Sequence, residues 1–301
     1  MLFRSPGLDG STDAKSITLT KASSMTVVTF EAGPYTYRGT AFTATAAVTG
    51  VGGLNQAVAV VYSGDCTNVT SGGCTASATY AGDPNHNGSS GSKSITITKA
   101  ILTVTSDNKA MVLNGSLPAL TGTLTGVKNN DAITASYSTV ADGSSVGVFP
   151  IVPALNDPYG RLGNYSVTAT NGTLTVQYAQ GGTCLASPGH QILQPINADG
   201  SSVFKQGSTV PAKFRVCDAN GNSVGTAGVV ASFKLVKSTA SVGAIDEDVV
   251  STTPDTDFRW SATDQQWIFN MGSKSLKAST TYYYDITLKD GTHILFNFGL
   301  K

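Results

Sequence analysis

The octapeptide KSITITKA at residues 93–100 repeats the octapeptide KSITLTKA at residues 15–22, with one substitution. A third segment of similar pattern, GTLTV at residues 172–176, follows at nearly the same further interval. Alternating polar and apolar residues are typical of β-strands that bury one face, so Ile95 and Ile97 are expected in a core. A repeat of this length built only from such strands predicts stacked β-sandwich modules.

The composition favours an extracellular β protein with two to three domains. The chain has 301 residues, of which only 13% are charged, and its formal net charge is +0. No cluster of Lys and Arg alternates with aromatic residues, so we expect no nucleic-acid partner. The longest apolar runs, such as residues 57–62, are far shorter than the roughly 20 residues of a membrane-spanning helix. We therefore expect no membrane span.

The first residues lack the features of a secretory signal. Residues 1–14 contain neither an apolar core of about 7 to 15 residues nor a small-residue cleavage site. Residues 15–22 match the last strand of the repeat that ends at residue 100. We therefore expect residues 1–22 to hold the closing strand of a truncated preceding repeat, and the signal peptide to be missing from this fragment.

The four cysteines form two pairs along the sequence. Cys66 and Cys74 lie in one predicted module, and Cys184 and Cys217 lie in another. An even count in an extracellular chain predicts two disulfides, which would stabilise the fold by roughly 2.5 and 3.7 kcal/mol in the chain-entropy model. Free thiols or a metal site are the alternatives, although no CxxC spacing supports a metal site.

Residues 23–100 are predicted to form one immunoglobulin-like sandwich. Turn residues separate its expected strands, which cover residues 25–30, 41–49, 57–62, 75–80 and 93–99. The stretch TYAGDPNHNGSS at residues 79–90, followed by the last strand, resembles the closing half of the bacterial Ig-like domains of secreted surface proteins. The resemblance implies an Ig-like fold in a repeat array.

Residues 101–178 are predicted to form a second β domain. Its expected strands include residues 102–105, 164–168 and 172–176, and Asn171-Gly172 between the last two is a strong hairpin signal. The segment resembles the MBG-type repeat of large bacterial surface proteins. That family carries a Tyr-Gly pair near the second strand, whereas this chain reads Leu113-Asn114-Gly115 at the aligned place.

Residues 179–301 are predicted to form a C-terminal β-sandwich. Val210, Ala212, Phe214 and Val216 alternate with polar residues, and a final hairpin turns at residues 290–291. The segments 193–200, 204–214 and 217–221 together resemble the PxKF domain of bacterial secreted proteins, in which Pro211, Lys213 and Phe214 supply the name. The resemblance implies an extracellular location and no particular chemistry.

No catalytic constellation emerges from the sequence. Residues 143–147 and 221–225 both fit G-x-S-x-G, but neither lies on the strand-to-helix turn that a nucleophile elbow requires. The three histidines stand in three separate contexts, which gives no shared base or metal site. We therefore predict no enzyme activity, no cofactor and no bound metal.

Two further patterns resemble ligand sites, one for calcium and one for a sugar. Asp218, Asn220 and Asn222 alternate as in the first half of a calcium loop, yet Val229 occupies the position of the bidentate Glu, and a hairpin turn explains the pattern equally well. Trp260 and Trp267 are candidate ligand aromatics for a sugar. Both share strand phase with a phenylalanine, which favours burial in the core.

The sequence thus predicts an all-β chain of tandem immunoglobulin-like β-sandwiches plus a C-terminal β-sandwich domain. The expected function is a non-catalytic structural or adhesive module of a bacterial surface or secreted protein, monomeric within a longer chain. Its partner would be an unidentified protein or glycan ligand at the cell surface. The alternative is a carbohydrate-binding module appended to a secreted hydrolase, which exposed and coplanar Trp260 and Trp267 would favour.

Overall fold

The computed structural model describes residue 15 and residues 17–240, 243–249 and 255–301. Within these residues the regular structure consists of 24 β-strands and two three-residue 3-10 turns, Val51–Gly53 and Leu162–Asn164. The predicted all-β fold class is confirmed. The strands form three successive pairs of sheets, as expected for tandem sandwiches.

The chain forms two compact units. The first contains the described part of Met1–Leu102 together with two loops, Gly126–Ile133 and Asp157–Val167. The second contains Thr103–Thr125, Thr134–Asn156 and Thr168–Lys301. Two loops of the middle sandwich are therefore part of the same compact unit as the first sandwich.

The first sandwich has two three-stranded antiparallel sheets. One sheet has the order β1-β2-β3 and the other has the order β4-β5-β6. The strands are β1 (Ser24–Phe30), β2 (Ala44–Gly50), β3 (Asn55–Ala57), β4 (Val61–Gly64), β5 (Cys74–Tyr80) and β6 (Ser89–Ile95).

The strands β1 and β6 approach closely at Thr26 and Gly91. A Cβ at Gly91 would collide with the carbonyl oxygen of Thr26, so only glycine fits there.

The middle sandwich pairs a four-stranded sheet with a three-stranded sheet. The larger sheet has the order β10-β11-β13-β8, in which β13 and β8 are parallel, and the smaller has the order β12-β7-β9. Val104, Ile151 and Leu174 are fully buried. The strands are β7 (Ala100–Ser106), β8 (Lys109–Val112), β9 (Gly122–Thr125), β10 (Thr134–Thr139), β11 (Gly147–Asn156), β12 (Tyr165–Thr170) and β13 (Gly172–Gln177).

The C-terminal sandwich follows a small two-stranded sheet formed by β14 (Thr183–Cys184) and β15 (Ser187–Pro188). Its two sheets have the orders β16-β18-β22-β21 and β17-β24-β23-β19-β20, and they enclose an aromatic core around Phe214, Phe233 and Phe296. The strands are β16 (Ile192–Leu193), β17 (Val203–Phe204), β18 (Thr209–Phe214), β19 (Val230–Ser238), β20 (Glu247–Asp248), β21 (Arg259–Ser261), β22 (Gln266–Gly272), β23 (Thr280–Leu288) and β24 (His293–Leu300).

Two strand predictions in the first module need correction. The predicted strand 57–62 is two short strands, because β3 and β4 belong to different sheets and residues 58–60 cross between them. The predicted strand 93–99 starts earlier and ends at Ile95, although Ile95 and Ile97 are both buried as expected. In the other copy of the octapeptide, Ile17 and Leu19 are exposed, residues 17–21 lie outside any strand, and Ser16 is outside the described residues.

The predicted hairpin at Asn171-Gly172 is wrong. β12 and β13 do follow each other directly, but they belong to opposite sheets of the middle sandwich. Gly172 is needed for another reason, since a Cβ there would collide with the carbonyl oxygens of Ser106 and Asp107. The glycine lets two backbone segments approach where the chain crosses between sheets.

Both predicted disulfides are present. Cys66 bonds to Cys74 in the first sandwich, and Cys184 bonds to Cys217 in the C-terminal sandwich. The second pair is buried on both sides and joins Cys184 in β14 to Cys217, which follows the end of β18 at Phe214. It therefore fixes the start of the C-terminal sandwich to one of its central strands.

We expect Gly172→Ala to lower the free energy of unfolding by about 1 to 3 kcal/mol, because the added methyl group meets backbone rather than a flexible side chain. Urea unfolding followed by circular dichroism measures the change. Gly181→Ala is the matched control, since a Cβ at Gly181 meets nothing within 4 Å, and it should change stability by less than about 0.5 kcal/mol. Equal stability of the two variants would contradict the crossover packing.

Candidate functional site

Polar residues that are distant in sequence converge where the first sandwich meets loops 126–133 and 157–167. We call Tyr37, Asn68, Asp131, Asn164 and Tyr165 the first junction. All five belong to the first compact unit. Tyr37 and Tyr165 are each only 2% exposed, and Asn164 is also buried. The junction is therefore an interior polar cluster and not a solvated surface.

Two buried phenols share one carboxylate oxygen at the first junction. The hydroxyl groups of Tyr37 and Tyr165 donate to Oδ2 of Asp131 over 2.8 and 2.7 Å, and their rings pack edge to face with centroids 5.3 Å apart. The amide of Lys128 donates to the hydroxyl oxygen of Tyr165 over 2.9 Å. Hydrogen bonds to a charged acceptor are about twice as strong as neutral ones, so this group fixes the loop firmly.

Burial keeps both phenols protonated. It raises the pKa of Tyr165 to about 12, and the nearby carboxylate of Asp131 acts in the same direction. Burial is also the main reason that the pKa of Tyr37 is raised, and its hydrogen bond to Asp131 adds to the effect. Both hydroxyl groups therefore remain donors throughout the physiological pH range.

The carboxamide of Asn164 makes a second link across the first junction. Its Oδ1 accepts from the amide of Val69 over 2.8 Å, and its Nδ2 donates to Oδ1 of Asn68 over 3.0 Å. Asn68 in turn donates to Asp65 over 2.9 Å. Residues 65–69 include one end of the Cys66–Cys74 loop, so the disulfide holds the receiving side of this contact.

A second polar cluster joins the middle and C-terminal sandwiches inside the second compact unit. We call Leu113, Asn114, Tyr178, Asp218 and Asp290 the second junction. Asn114 donates to Asp218 over 3.0 Å, and the amide of Ala219 donates to the carbonyl of Leu113 over 2.9 Å. The amide of Tyr178 donates to Asp290 over 2.8 Å. Three hydrogen bonds therefore tie the two sandwiches.

The candidate calcium residues Asp218, Asn220 and Asn222 form hydrogen bonds with one another at the second junction. Oδ1 of Asp218 accepts from the amides of Asn220 and Asn222, and Oδ2 accepts from the side chains of Asn114 and Asn222. Burial opposes ionisation, yet these hydrogen bonds hold the pKa of Asp218 below its ordinary value. Both oxygens of the carboxylate are thus engaged by donors of the chain itself.

The structure brings Trp260 and Trp267 together without forming a flat platform. Their ring centroids are 5.5 Å apart and their planes are tilted by 55°. Trp267 is 6% exposed and its Nε1 donates to the carbonyl of Val224 over 2.9 Å. Trp260 is half-buried and packs on the backbone of Gly225, where a Cβ would collide with its ring. The pair lines one wall of a cleft of about 650 Å³.

His86 fixes the turn that closes the first sandwich. Its ring Nδ1 lies 2.9 Å from Oδ2 and 3.0 Å from Oδ1 of Asp83, and its Nε2 lies 2.8 Å from the carbonyl of Val51. A carbonyl and a carboxylate can only accept, so this environment favours the doubly protonated imidazolium of His86 and raises its pKa. The same turn pairs with Ala22, whose carbonyl accepts from the amide of Asn87.

No group of three or more His, Cys, Asp or Glu residues in the described part of the chain could hold a metal ion. No helix in the same residues is long and apolar enough to cross a membrane.

Comparison with known proteins identifies a family for one part of the chain. Residues 102–175 match the model of the MBG domain (YGX type), which confirms the predicted MBG-type repeat. Extracellular cadherin domains 3-6 of Protocadherin Gamma B2 are similar at 11% identity over 95% of this chain and 78% of that chain, with a TM-score of 0.22. The Protocadherin gammaB7 EC3-6 cis-dimer structure is similar at 12% identity over 92% and 77%, with a TM-score of 0.21. No curated protein matches the chain.

The first compact unit should hold its closing turn less firmly as pH rises above about 6.5. The fold raises the pKa of His86, first through its hydrogen bond to the Val51 carbonyl and then through Asp83, so the stabilisation is complete below the ordinary histidine pKa of about 6.5 and is lost as pH rises through the folded-state value. The pKa of Asp83 is lowered, chiefly by His86, so its contribution is lost only in acid.

Amide hydrogen exchange at Asn87, corrected for the intrinsic effect of pH, measures this change. Exchange should become faster in the natural chain as pH rises above about 6.5. His86→Gln should remove the pH dependence, because a carboxamide does not titrate in this range. A His86→Gln variant with the same pH profile as the natural chain would show that another group is responsible.

Proposed function

We propose that this chain is a non-catalytic spacer of a bacterial surface or secreted protein, in which tandem sandwiches hold a distal module in position. The observation that carries the proposal is the pair of buried phenols on Asp131. A flexible linker would leave such groups in water, whereas here they are buried between the first sandwich and two loops of the middle one. Within the first compact unit, these contacts hold both loops against the first sandwich.

Three further features support this function. The MBG match places the middle module among repeat domains, and two disulfides suit a chain that works in an oxidising extracellular environment. The second junction links the following module through Asp218 and Asp290. Both carboxylates accept hydrogen bonds from groups of the chain itself.

The adhesive part of the function would lie at the module ends. Loops there are exposed, and the low content of charged residues limits non-specific attraction. A protein or glycan ligand at the cell surface is the kind of partner that such loops would bind.

The carbohydrate-binding alternative has less support at the predicted aromatic residues. A sugar-binding platform presents a flat aromatic face, but Trp267 is buried and its plane is tilted away from that of Trp260. Both tryptophans line the neighbouring cleft, but Trp260 is half-buried and Trp267 is buried. We therefore place the tryptophan pair in the core of the C-terminal sandwich.

The double substitution Tyr37→Phe, Tyr165→Phe tests the rigid joint. We expect amide hydrogen exchange at Val69 to become at least about tenfold faster, because two hydrogen bonds to a charged acceptor are lost. The hydrogen bond of Val69 to Asn164 is left intact in this variant, so faster exchange there reports opening of the whole junction.

Tyr159→Phe is the matched control, since Tyr159 lies in the same loop and is 71% exposed. It should leave exchange at Val69 unchanged. If the folded double variant also leaves Val69 unchanged, the phenols do not hold the joint and the spacer proposal loses its main support.

A further inference from the structure

The C-terminal sandwich contains a polar cleft that neither junction uses. It lies between the segment around β16 and the outward face of β18, and it has a volume of about 460 Å³. Pockets of about 300 to 1,000 Å³ are typical of small-molecule sites in proteins. Its walls include Gln191, Gln194, Lys213, Arg215 and Gln266, with Ile192 among its apolar residues.

The cleft is positively charged. Lys213 and Arg215 both line it, and no carboxylate is among the residues that do so. The guanidinium of Arg215 is held in place by the carbonyl oxygens of Asp264 and Gln265, over 2.8 and 3.2 Å. Lys213 has no ion pair or side-chain hydrogen bond within the part of the chain that the structure describes. Its ammonium group is therefore available to an anion.

A buried carboxamide also faces the cleft without a partner. Gln266 is only 8% exposed, and its backbone is paired with Ser261 in the sheet. Its side chain makes no hydrogen bond to any described residue. The amide atoms of Gln266 are not among the buried polar atoms that lack a partner, so they are accessible from the cleft and free to bind a ligand there.

We propose that this cleft binds a carboxylate-bearing sugar residue, such as a uronic acid or a sialic acid. Lys213 would pair with the carboxylate, and Arg215 would add positive charge from a fixed position. The carboxamides of Gln191 and Gln266 would bind the hydroxyl groups, because a carboxamide both donates and accepts as a hydroxyl does. Gln194 would contribute its Oε1, since its Nε2 already donates to Asn197 over 2.7 Å.

The combination of groups favours a sugar over a simple ion. An inorganic anion would need only positive charge and donors, whereas this cleft also offers carboxamide oxygens and an apolar residue, Ile192. The site also differs in place from the tryptophan pair, because neither Trp260 nor Trp267 lines it. The inference does not rest on the spacer function, since a spacer needs no ligand at this position.

Isothermal titration of the whole chain with D-glucuronate and with N-acetylneuraminate tests the proposal, with D-glucose and acetate as matched neutral and non-sugar probes. We expect one or both acidic sugars to bind, and glucose and acetate to bind at least about tenfold more weakly. A shift of the Gln266 side-chain amide in nuclear magnetic resonance spectra should accompany binding.

Two variants locate the site. Lys213→Met and Gln266→Met should each weaken binding of the acidic sugar by about tenfold or more, while Lys205→Met, at an exposed lysine of the same sandwich, should leave it unchanged. Thermal unfolding confirms that each variant folds. Gln266→Met removes a side-chain amide that makes no hydrogen bond to a described residue, so this variant is expected to fold. It therefore still tests the site if Lys213→Met does not fold.

Four outcomes would overturn the proposal. The first is no binding of either acidic sugar to the folded chain. The second is unchanged binding in both Lys213→Met and Gln266→Met. The third is binding that is lost in Trp260→Ala and kept in Lys213→Met, which would place the site at the tryptophan pair. The fourth is acetate that binds as tightly as the sugars, which would show a site for charge alone.

Discussion

Loop carboxylates that accept hydrogen bonds from the chain's own donors are the interaction on which the order of this molecule depends. A β-sandwich buries the inner faces of its sheets, but it leaves the amide groups of its loops without partners in the sheet. Asp65, Asp83 and Asp218 each accept from backbone amides of the following residues, and the pKa of each is lowered. At the junctions, Asp131 accepts hydrogen bonds from phenols and Asp290 accepts one from an amide, and these donors come from elsewhere in the chain.

This arrangement explains how a chain with so few charged residues stays ordered. Each of these aspartates accepts hydrogen bonds from the chain, and a hydrogen bond to a charged group contributes about 1.5 to 3 kcal/mol. Surface ion pairs, by comparison, typically contribute only about 0 to 1 kcal/mol. The pairs of Glu31 with Arg38 and of Asp246 with Lys234 are partly exposed and belong to this weaker class.

The strands could largely be predicted because their signal is local. The alternation at residues 93–98 buries Ile95 and Ile97, and the alternation in β18 buries Val210, Ala212 and Phe214 as expected. The hairpin rule for Asn171-Gly172 did not apply, because it assumes that successive strands pair in one sheet. In a sandwich the chain also crosses between sheets, and nothing in the dipeptide distinguishes the two cases.

The first junction could not be predicted, since its partners lie in loops that are far apart in the sequence. Tyr37 is 94 residues from Asp131, and Tyr165 is 34 residues from it. A single tyrosine in a loop does not reveal that it will be buried. The sequence singled out two residues of the second junction, Asn114 in the segment 113–115 and Asp218 in the calcium-like alternation. Their contact could not be predicted, because it depends on the positions of two sandwiches.

The polar clusters of this chain can be separated by whether their groups have partners. At the junctions, Asp131 and Asp218 bind donors of the chain, and Asn164 engages both ends of its carboxamide, which is what a structural role requires. In the cleft beside β18, Lys213 and Gln266 have no such partners among the described residues. The amide of Gln266 is accessible from the cleft and free to bind a ligand. The presence of partners within the chain therefore marks the junctions as structural, and their absence is the reason that we propose binding at the cleft.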